Sequence, residues 1–310
     1  MTLAVGLVVL GLGLLAGGGE ALVRGAVAIA RLAGMTPAVI GLTIVAIGTS
    51  LPELVVSVLA GVQGQSDLAV GNVVGSNILN ITGILGLAAL TTVLPVDRSA
   101  IRLEWPMVVF ASALTLWLAS DGQIGGTDAV IMLVILVGFT WWMVRRARRE
   151  FAAVTTVPVP AGIGAGAAAV FVVIGIVLLV LGARFLVSGA ESLARLAGWS
   201  ERVIGLTVVA IGTSTPELAT SIVAARRGRT DMAISNLLGS NTFNLLGILG
   251  ISGALHPLHV SAGLLQSDMR WMLLTAGLAL PLLATGERVS RLEGGILVSV
   301  YLVYLALLLR

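Results

Sequence analysis

The sequence predicts an all-α membrane protein with ten transmembrane helices in two inverted five-helix repeats. Composition is the first observation: 57% of the residues are hydrophobic and only 11% are charged, whereas soluble chains carry about a quarter charged residues. The second is that the apolar runs reach the ~17–25 residues needed to cross a bilayer. The third is an internal duplication. Together they exclude an ordinary soluble domain.

The apolar runs place the ten spans in order along the chain, separated by short polar gaps. The first five are predicted at 3–33, 37–62, 68–93, 105–120 and 129–144, and the second five at 164–197, 203–225, 232–255, 269–284 and 292–309. These spans divide the chain into four regions. The first half has a first repeat region with spans one to three at 1–93, followed by spans four and five with a cytoplasmic linker at 94–160. The second half has a second repeat region with spans six to eight at 161–255, followed by spans nine and ten at 256–310.

The duplication has a constant offset of 164 residues and needs no gap. Residues 46–54 read AIGTSLPEL and residues 210–218 read AIGTSTPEL, which is a single difference. Other matched segments are 30–34 with 194–198, 39–43 with 203–207, 75–77 with 239–241 and 83–86 with 247–250. Because each half holds an odd number of spans, the second half must enter the membrane from the opposite face. Inverted repeats of this kind place a binding site near the middle of the bilayer.

The charged residues set the expected orientation. All basic residues are arginines, and they lie mostly between the spans, which is typical of topology determinants rather than of a nucleic-acid surface. Placing the run at 145–149 in the cytoplasm, next to an interfacial Trp141 and Trp142, also places most other arginines there. We therefore expect a multi-pass protein of the plasma (inner) membrane with both termini external. The absence of cysteine excludes thiolate metal sites and cysteine nucleophiles.

The duplicated motif carries a glutamate, Glu53 in the first copy and Glu217 in the second, inside a membrane-length apolar segment. An acid at that depth is expensive and indicates a functional site. Pro52 and Pro216 precede these acids and lack the N–H that a helix requires, so carbonyls from about Ala46 to Thr49, and from 210 to 213, are expected to lose their partners. Carboxylate and carbonyl oxygens suit calcium or sodium rather than zinc or copper. The motif therefore predicts a secondary transporter for a cation.

A purely structural interpretation of the same motif is a capping box. In that interpretation Ser50 and Glu53 restart one helix, and Ser214 and Glu217 restart the other. At membrane depth a glutamine would serve the same purpose and would be easier to bury. The carboxylates therefore favour the functional interpretation.

A second polar pattern recurs in both halves as residues four apart on one helix face. Its members are Asn72, Ser76 and Asn80, and Asn236, Ser240 and Asn244. Small and amide side chains also hold membrane helices together, and for Asn72, Asn77, Asn236 and Asn241 both roles remain open. The other members, namely Ser76, Asn80, Ser240 and Asn244, are predicted to complete an oxygen-lined cavity between spans two, three, seven and eight.

The motifs G-T-S-x-P-E and G-S-N-x-x-N, each present twice, resemble the alpha repeats of the cation/calcium antiporter superfamily, and of its sodium/calcium exchanger branch in particular. The resemblance implies ten helices in two inverted halves, central ion sites, and exchange of Ca²⁺ against Na⁺ by alternating access, with no cofactor. By motif position the resemblance implies that Glu53 and Glu217 are shared calcium ligands. It also implies that Thr49 and Thr213 add backbone and hydroxyl oxygens and that Ala46 and Ala210 offer carbonyls. The residues that it implies line sodium sites are Ser50, Ser76, Asn80, Ser214, Ser240 and Asn244.

Two positions depart from the expected pattern. Some members of the superfamily, the potassium-dependent ones among them, carry Asp where this chain has Asn244, so potassium coupling is not expected here. The second copy has Ser235 where the first has Gly71, and the sequence gives no reason for the added hydroxyl.

The expected mechanism is that the two glutamates, jointly about −2, bind one calcium or a set of sodium ions, and that spans one and six then move. Three alternatives remain. The first is an antiporter that exchanges Ca²⁺ for H⁺, and the second is a passive cation channel. The third is an intramembrane enzyme using Ser50 or Ser214, which ranks lowest because no His or Lys is placed to activate either hydroxyl.

Overall fold

The structure is a computed structural model that describes residues 2–154, 163–196, 210–284 and 286–308. Within these ranges the chain is mostly helical, with four two-residue strands. Most of the expected linker at 150–161, the start of the seventh predicted span, Arg202 and Arg310 lie outside the described residues, as does the side chain of Ala210.

The helices follow in two series. Those of the first half are α1 (Thr2–Leu32), α2 (Pro37–Ile40), α3 (Ala46–Thr49), α4 (Leu51–Val62), α5 (Ser66–Ile78), α6 (Leu85–Thr91), α7 (Trp105–Leu118) and α8 (Gly126–Val154). Those of the second half are α9 (Ala165–Leu196), α10 (Ala210–Thr213), α11 (Thr215–Arg226), α12 (Thr230–Thr242), α13 (Leu249–Leu255), α14 (Met269–Ala284) and α15 (Arg291–Leu308). Several are joined end to end by π-helical turns, at Gly41–Val45, Leu79–Ile84, Ala100–Glu104, Phe243–Ile248 and Leu264–Asp268, and a 3₁₀ turn covers Ala119–Asp121.

The helices have the length and composition of membrane spans. Among the described residues, seven continuous helices are long and apolar enough to cross a bilayer, and the bent pair Pro37–Thr49 and Leu51–Val62 adds an eighth. The membrane character predicted from composition is therefore confirmed. The count of ten spans stays a prediction.

Burial separates central from peripheral helices. In the segments Ser66–Thr91 and Thr230–Leu255, 83% of an 18-residue apolar window is buried within the protein, against 28% in both Thr2–Leu32 and Ala165–Ala190. A helix that is apolar on all sides but buried only on one side turns the rest toward lipid. The two segments with the polar N-x-x-x-S pattern therefore form the centre of the molecule, and α1 and α9 lie outside it.

Helices α1 and α9 pack against each other in antiparallel orientation along a row of glycines spaced seven residues apart. A Cβ atom on Gly18 would lie 2.8 Å from the backbone nitrogen of Leu179, and one on Gly175 would lie 2.5 Å from that of Leu22. Such distances mean that the two backbones touch. The row comprises Gly11, Gly18 and Gly25 in α1 and Gly175, Gly182 and Gly189 in α9, which correspond pairwise at the offset of 164.

The second predicted span is broken where the motif places Ser50. Helix α2 begins at Pro37, a residue suited to the first turn. It continues through a π-helical turn and α3, and then bends by 47° into α4. Ser50 at the bend has φ −83° and ψ 10°, and Ser214 between α10 and α11 has nearly the same conformation, φ −88° and ψ 6°. Both copies of the motif therefore break their helix in the same way.

The strands connect the two halves of the chain in two small antiparallel pairs. Strand β1 (Leu94–Pro95) pairs with β4 (Arg288–Val289), and β2 (Gln123–Ile124) pairs with β3 (Leu258–His259). Each pair joins a loop of the first half to a loop of the second half. The loops therefore tie the two halves together outside the helical centre.

Candidate cation-binding site

The two motif glutamates lie fully buried at the centre, and each is held by a serine of the other copy. Ser50 donates a hydrogen bond to Oε1 of Glu217 at 2.8 Å, and Ser214 donates one to Oε1 of Glu53 at 3.0 Å. Both glutamates are 0% exposed. The duplicated motifs therefore cross, so that each break contributes its hydroxyl to the acid of the opposite break.

This crossing decides against the capping-box interpretation. Neither Ser50 nor Ser214 makes a side-chain cap bond to the helix that follows it, since each hydroxyl is directed to the opposite glutamate instead. The serines stabilise buried carboxylates across the repeat interface rather than the first turn of their own helix.

The threonines that precede these serines also bridge the two copies. Thr49 donates toward Oδ1 of Asn236 at 3.5 Å, and Thr213 donates toward Oδ1 of Asn72 at 3.4 Å. The Ser240 hydroxyl lies 3.5 Å from Oγ1 of Thr49, and the Ser76 hydroxyl lies 3.0 Å from that of Ser214. These hydroxyls are all buried, so they form a polar layer around the two acids.

The carbonyl of Ala46 differs from the sequence expectation. It accepts a hydrogen bond from the backbone N–H of Ser50 at 3.1 Å, so the proposal that Pro52 frees it is wrong. The carbonyl that loses its donor is that of Gly48, four residues before the proline. The Ala46 oxygen still has a second lone pair, and hydroxyls of Thr49 and Ser240 approach it at 3.3 and 3.5 Å. Its repeat mate, Ala210, begins α10.

Asn72 and Asn236 join neighbouring helices, one of the two roles left open by the sequence. Asn72 donates to Ser57 at 2.9 Å and to the carbonyl of Glu53 at 3.3 Å, which connects α5 to α4. Asn236 donates to Ser221 at 3.2 Å and connects α12 to α11. Since their Oδ1 atoms also face the threonines, these residues both pack the helices and border the polar layer. Ser57 and Ser221 were not anticipated, although they too correspond at the offset of 164.

Asn80 and Asn244 lie in two π-helical turns, and such turns are frequent at functional sites. Asn80 donates to Asn241 across the repeat at 3.0 Å, whereas neither polar atom of Asn244 has a partner within the described structure. Asn80 Oδ1 is unpartnered as well. Asn77 instead donates to the carbonyl of Val73 on its own helix, at 2.8 Å.

Each central glutamate keeps one oxygen without a partner. Oε2 of Glu53 and Oε2 of Glu217 are buried and accept no hydrogen bond in the described part of the protein, and none of the described arginines forms an ion pair with either acid. The charge on Glu217 also acts on Glu53. Two uncompensated carboxylates buried together are costly unless a cation joins them. The arrangement, built only of oxygens and amides, fits a hard cation as substrate.

The described residues contain one buried acid that sequence analysis missed. Glu104 is 1% exposed and accepts a hydrogen bond from Ser235 at 2.6 Å. This contact explains the unmatched serine of the second copy. At the equivalent position the first copy has Gly71, where an added Cβ would meet only a side-chain carbon of Leu264, at 3.8 Å. The signal in the sequence was Glu104 itself, immediately before the predicted span at 105–120.

Comparison with known proteins identifies the family. A family model described as "Sodium/calcium exchanger protein" matches residues 3–145 and 167–310, nearly the whole chain. This chain belongs to the sodium/calcium exchanger family. The resemblance predicted from the motifs is thereby confirmed.

Individual relatives match along most of their length. The inner membrane protein YrbG of Escherichia coli (strain K12) is 35% identical over 84% of this chain and 82% of its own. The sodium/calcium exchanger MaX1 of Methanosarcina acetivorans is 30% identical over 84% of this chain and 85% of its own. The solved structure of the sodium-calcium exchanger NCX_Mj soaked with 10 mM Na⁺ and 10 mM Sr²⁺ superposes with a TM-score of 0.85, at 30% identity and covering 98% of both chains. This exchanger is therefore a multi-pass membrane protein with the fold of its family. Membership of an exchanger family fits transport rather than enzymatic catalysis.

Proposed function

We propose that this exchanger moves Ca²⁺ against Na⁺ by alternating access, with Glu53 and Glu217 as shared cation ligands. The observation that carries the proposal is the crossed pair of buried carboxylates, each bonded by one oxygen to a serine of the opposite copy and each with its other oxygen unpartnered. A pair of this kind, jointly about −2, is stabilised by one divalent cation or by several monovalent ones.

Calcium takes six to eight oxygen ligands, more than two carboxylates supply. The polar layer provides further candidates. We propose that Thr49 and Thr213 add backbone and hydroxyl oxygens and that Ala46 and Ala210 offer carbonyls. The residues proposed to line the sodium sites are Ser50, Ser76, Asn80, Ser214, Ser240 and Asn244. The unpartnered atoms of Asn80 and Asn244 support their inclusion, because buried amides are normally hydrogen-bonded.

The proposed architecture is two inverted five-helix halves, divided as expected at 1–93 with 94–160, and at 161–255 with 256–310. Two observations support it. Helices α1 and α9 correspond in sequence yet run antiparallel. Strand β1 corresponds to β3, and β2 to β4 within one residue, while the observed pairs are β1 with β4 and β2 with β3. An exchange of partners between copies is what a two-fold axis in the membrane plane produces.

Alternating access requires that an empty, doubly charged site resists closure and that an occupied site permits it. Charge buried without a partner is strongly unfavourable in a membrane, so neutralisation by Ca²⁺ or Na⁺ removes the obstacle. Helices α1 and α9 are the proposed moving pair because they touch each other along the whole glycine row and lie outside the buried centre.

The first experiment measures the coupling ion. Purified protein in sealed vesicles should accumulate ⁴⁵Ca²⁺ when an outward sodium gradient is imposed, and should not do so with a pH gradient of matched size. Uptake driven only by the pH gradient would establish proton exchange instead. Uptake that follows the calcium gradient alone, without either counter-ion, would indicate a channel.

The second experiment tests the ligands. Glu53→Gln or Glu217→Gln removes one of the two charges while keeping the size of the side chain and one oxygen that can accept the serine hydrogen bond, so sodium-driven calcium uptake should fall to the level of empty vesicles. The control is Glu104→Gln, the same change at a buried acid bonded to Ser235 and not to the central layer. All three proteins should elute as folded particles. Robust uptake by either central variant would refute the shared-ligand proposal.

A further inference from the structure

Glu20 on α1 forms ion pairs with two arginines on different helices. Arg24 lies one turn further along α1 itself, whereas Arg227 lies immediately after the end of α11. Both guanidinium groups pair with the same oxygen, Oε1 of Glu20. The side chain of Glu20 is 29% exposed, so water and salt screen these pairs only in part. The Arg24 pair moves with α1, but the Arg227 pair joins a proposed moving helix to the helix that carries Glu217.

The Glu20–Arg227 pair continues a close contact between α1 and α11. A Cβ atom on Gly19 would lie 3.3 Å from Cγ2 of Val223 and 3.4 Å from the carbonyl oxygen of Ala219. Both of these α11 residues are half-buried. In the expected orientation α11 ends on the cytoplasmic side of the membrane. In this structure α1 therefore covers the cytoplasmic part of α11.

The equivalent face of α4 is not covered. At the offset of 164 residues, Ala219 and Val223 correspond to Val55 and Leu59, and each of the latter two is 54% exposed. In the expected orientation α4 ends on the external side. Two inverted halves that differ in this way hold one of two states, and an exchange of their conformations gives the other state. In that other state α9 would cover α4 as α1 covers α11 here.

The ion pair has no counterpart in the other state. The position equivalent to Glu20 is Arg184, and the position equivalent to Arg227 is Gln63. The backbone is nearly the same at the two helix ends, with φ −81° and ψ 3° at Gln63 and φ −85° and ψ 7° at Arg227. The two copies therefore differ here in side chains and not in local geometry. An arginine and a glutamine cannot form an ion pair.

We propose that the Glu20–Arg227 pair is a latch that favours the observed state, with α1 on α11, over the state with α9 on α4. This inference rests on the proposed alternating access. Helix α1 must leave α11 when access changes sides, and the latch then breaks. No ion pair forms in exchange, because Arg184 meets Gln63 in the other state. The equilibrium between the two states is therefore biased toward access from outside.

Two engineered cysteine pairs report the two states independently of transport, since the natural chain contains no cysteine. Gly19→Cys with Val223→Cys reports the observed state. Ala183→Cys with Leu59→Cys, at the equivalent positions, reports the other state. A disulfide forms only when the two Cβ atoms come within about 4.5 Å. With an oxidant that reacts more slowly than the states interchange, the initial rates of disulfide formation, measured by mass spectrometry of the linked peptides, follow the two populations.

Arg227→Gln gives the second copy the residue of the first. It should lower the ratio of the first rate to the second roughly fivefold, which corresponds to about 1 kcal/mol, the upper end for exposed ion pairs. Arg227→Lys should keep most of the ratio, because lysine can also pair with Glu20. The matched control is Arg226→Gln, at an exposed neighbour without an ion pair among the described residues. Arg184→Glu with Gln63→Arg should also lower the ratio, because it builds the pair on the other side.

The outcomes separate the latch from alternating access itself. An unchanged ratio in Arg227→Gln, or an equal change in Arg226→Gln, would overturn the latch while both disulfides still showed two states. If the Ala183–Leu59 disulfide formed in no variant, while the Gly19–Val223 disulfide formed normally, alternating access would be contradicted and the latch with it.

Discussion

Among single residues, Ser235 shows that a difference between the two repeat copies can have a structural reason. Its hydroxyl meets the buried carboxyl of Glu104 at 2.6 Å, and no described arginine forms an ion pair with that acid. A buried polar group that loses its partner is destabilising by the full desolvation penalty, about 1–3 kcal/mol. The serine is therefore needed by Glu104 rather than by the transported ion.

Ser235→Ala should accordingly lower the stability of the exchanger by about 1–3 kcal/mol, visible as a lower midpoint of thermal unfolding in detergent. Ser299→Ala is the control, because Ser299 is exposed and bonds only to its own helix, at Gly295. Combining Ser235→Ala with Glu104→Leu should restore most of the loss, since no unpaired carboxyl then remains. Equal midpoints for Ser235→Ala and Ser299→Ala would show that the contact contributes nothing.

Residue types and spacing predicted the members of the central layer but not their partners. The sequence placed Ser50 beside Glu53 through a local capping pattern, whereas the structure pairs Ser50 with Glu217. Local spacing describes contacts within one helix, and a contact between residues 167 apart depends on how the halves cross. The same holds for Asn80 and Asn241. The symmetry of the sequence nevertheless implied that a contact made by a residue of one copy recurs at the equivalent residue of the other copy.

At the scale of helices, the glycine row between α1 and α9 was readable in the sequence as a seven-residue spacing that recurs at the offset of 164. Small residues allow membrane helices to approach until backbone atoms touch, and here that approach joins the two proposed moving helices. The contact should matter for stability and for common movement.

Gly175→Ala tests this contact, because its Cβ would lie 2.5 Å from the backbone nitrogen of Leu22. Backbone cannot rotate away as a flexible side chain can, so the helices must separate, and overpacking of this kind typically costs about 1–3 kcal/mol. Gly17→Ala is the matched control on α1, since nothing lies within 4 Å of its added Cβ. The Gly175 variant should unfold at a lower temperature and transport more slowly. If it resembles Gly17→Ala in both measurements, the close contact has no energetic role.

At the scale of the whole molecule, composition and hydropathy were enough for the class of fold, because a membrane imposes simple rules on length and polarity. Composition and hydropathy could not predict the geometry of the helix breaks. The 47° bend at Ser50 and the π-helical turns around Asn80 and Asn244 are local departures from the regular α-helix, which hydropathy does not encode. The pairing of the loops across the two halves was likewise not predicted.

Those loop pairs give a direct test of the proposed orientation. Strand β2 is expected outside and the loop after β1 inside, and the natural chain contains no cysteine that would react with a thiol reagent. Gln123→Cys and Asp97→Cys place single thiols at exposed positions in these two loops. In intact cells a membrane-impermeant maleimide should label only Gln123→Cys, and Asp97→Cys should react once the membrane is permeabilised. Labelling of Asp97→Cys alone in intact cells would show that the orientation is the reverse of the proposed one. Labelling of both would contradict the inverted arrangement, because these loops follow consecutive spans and a single span separates them.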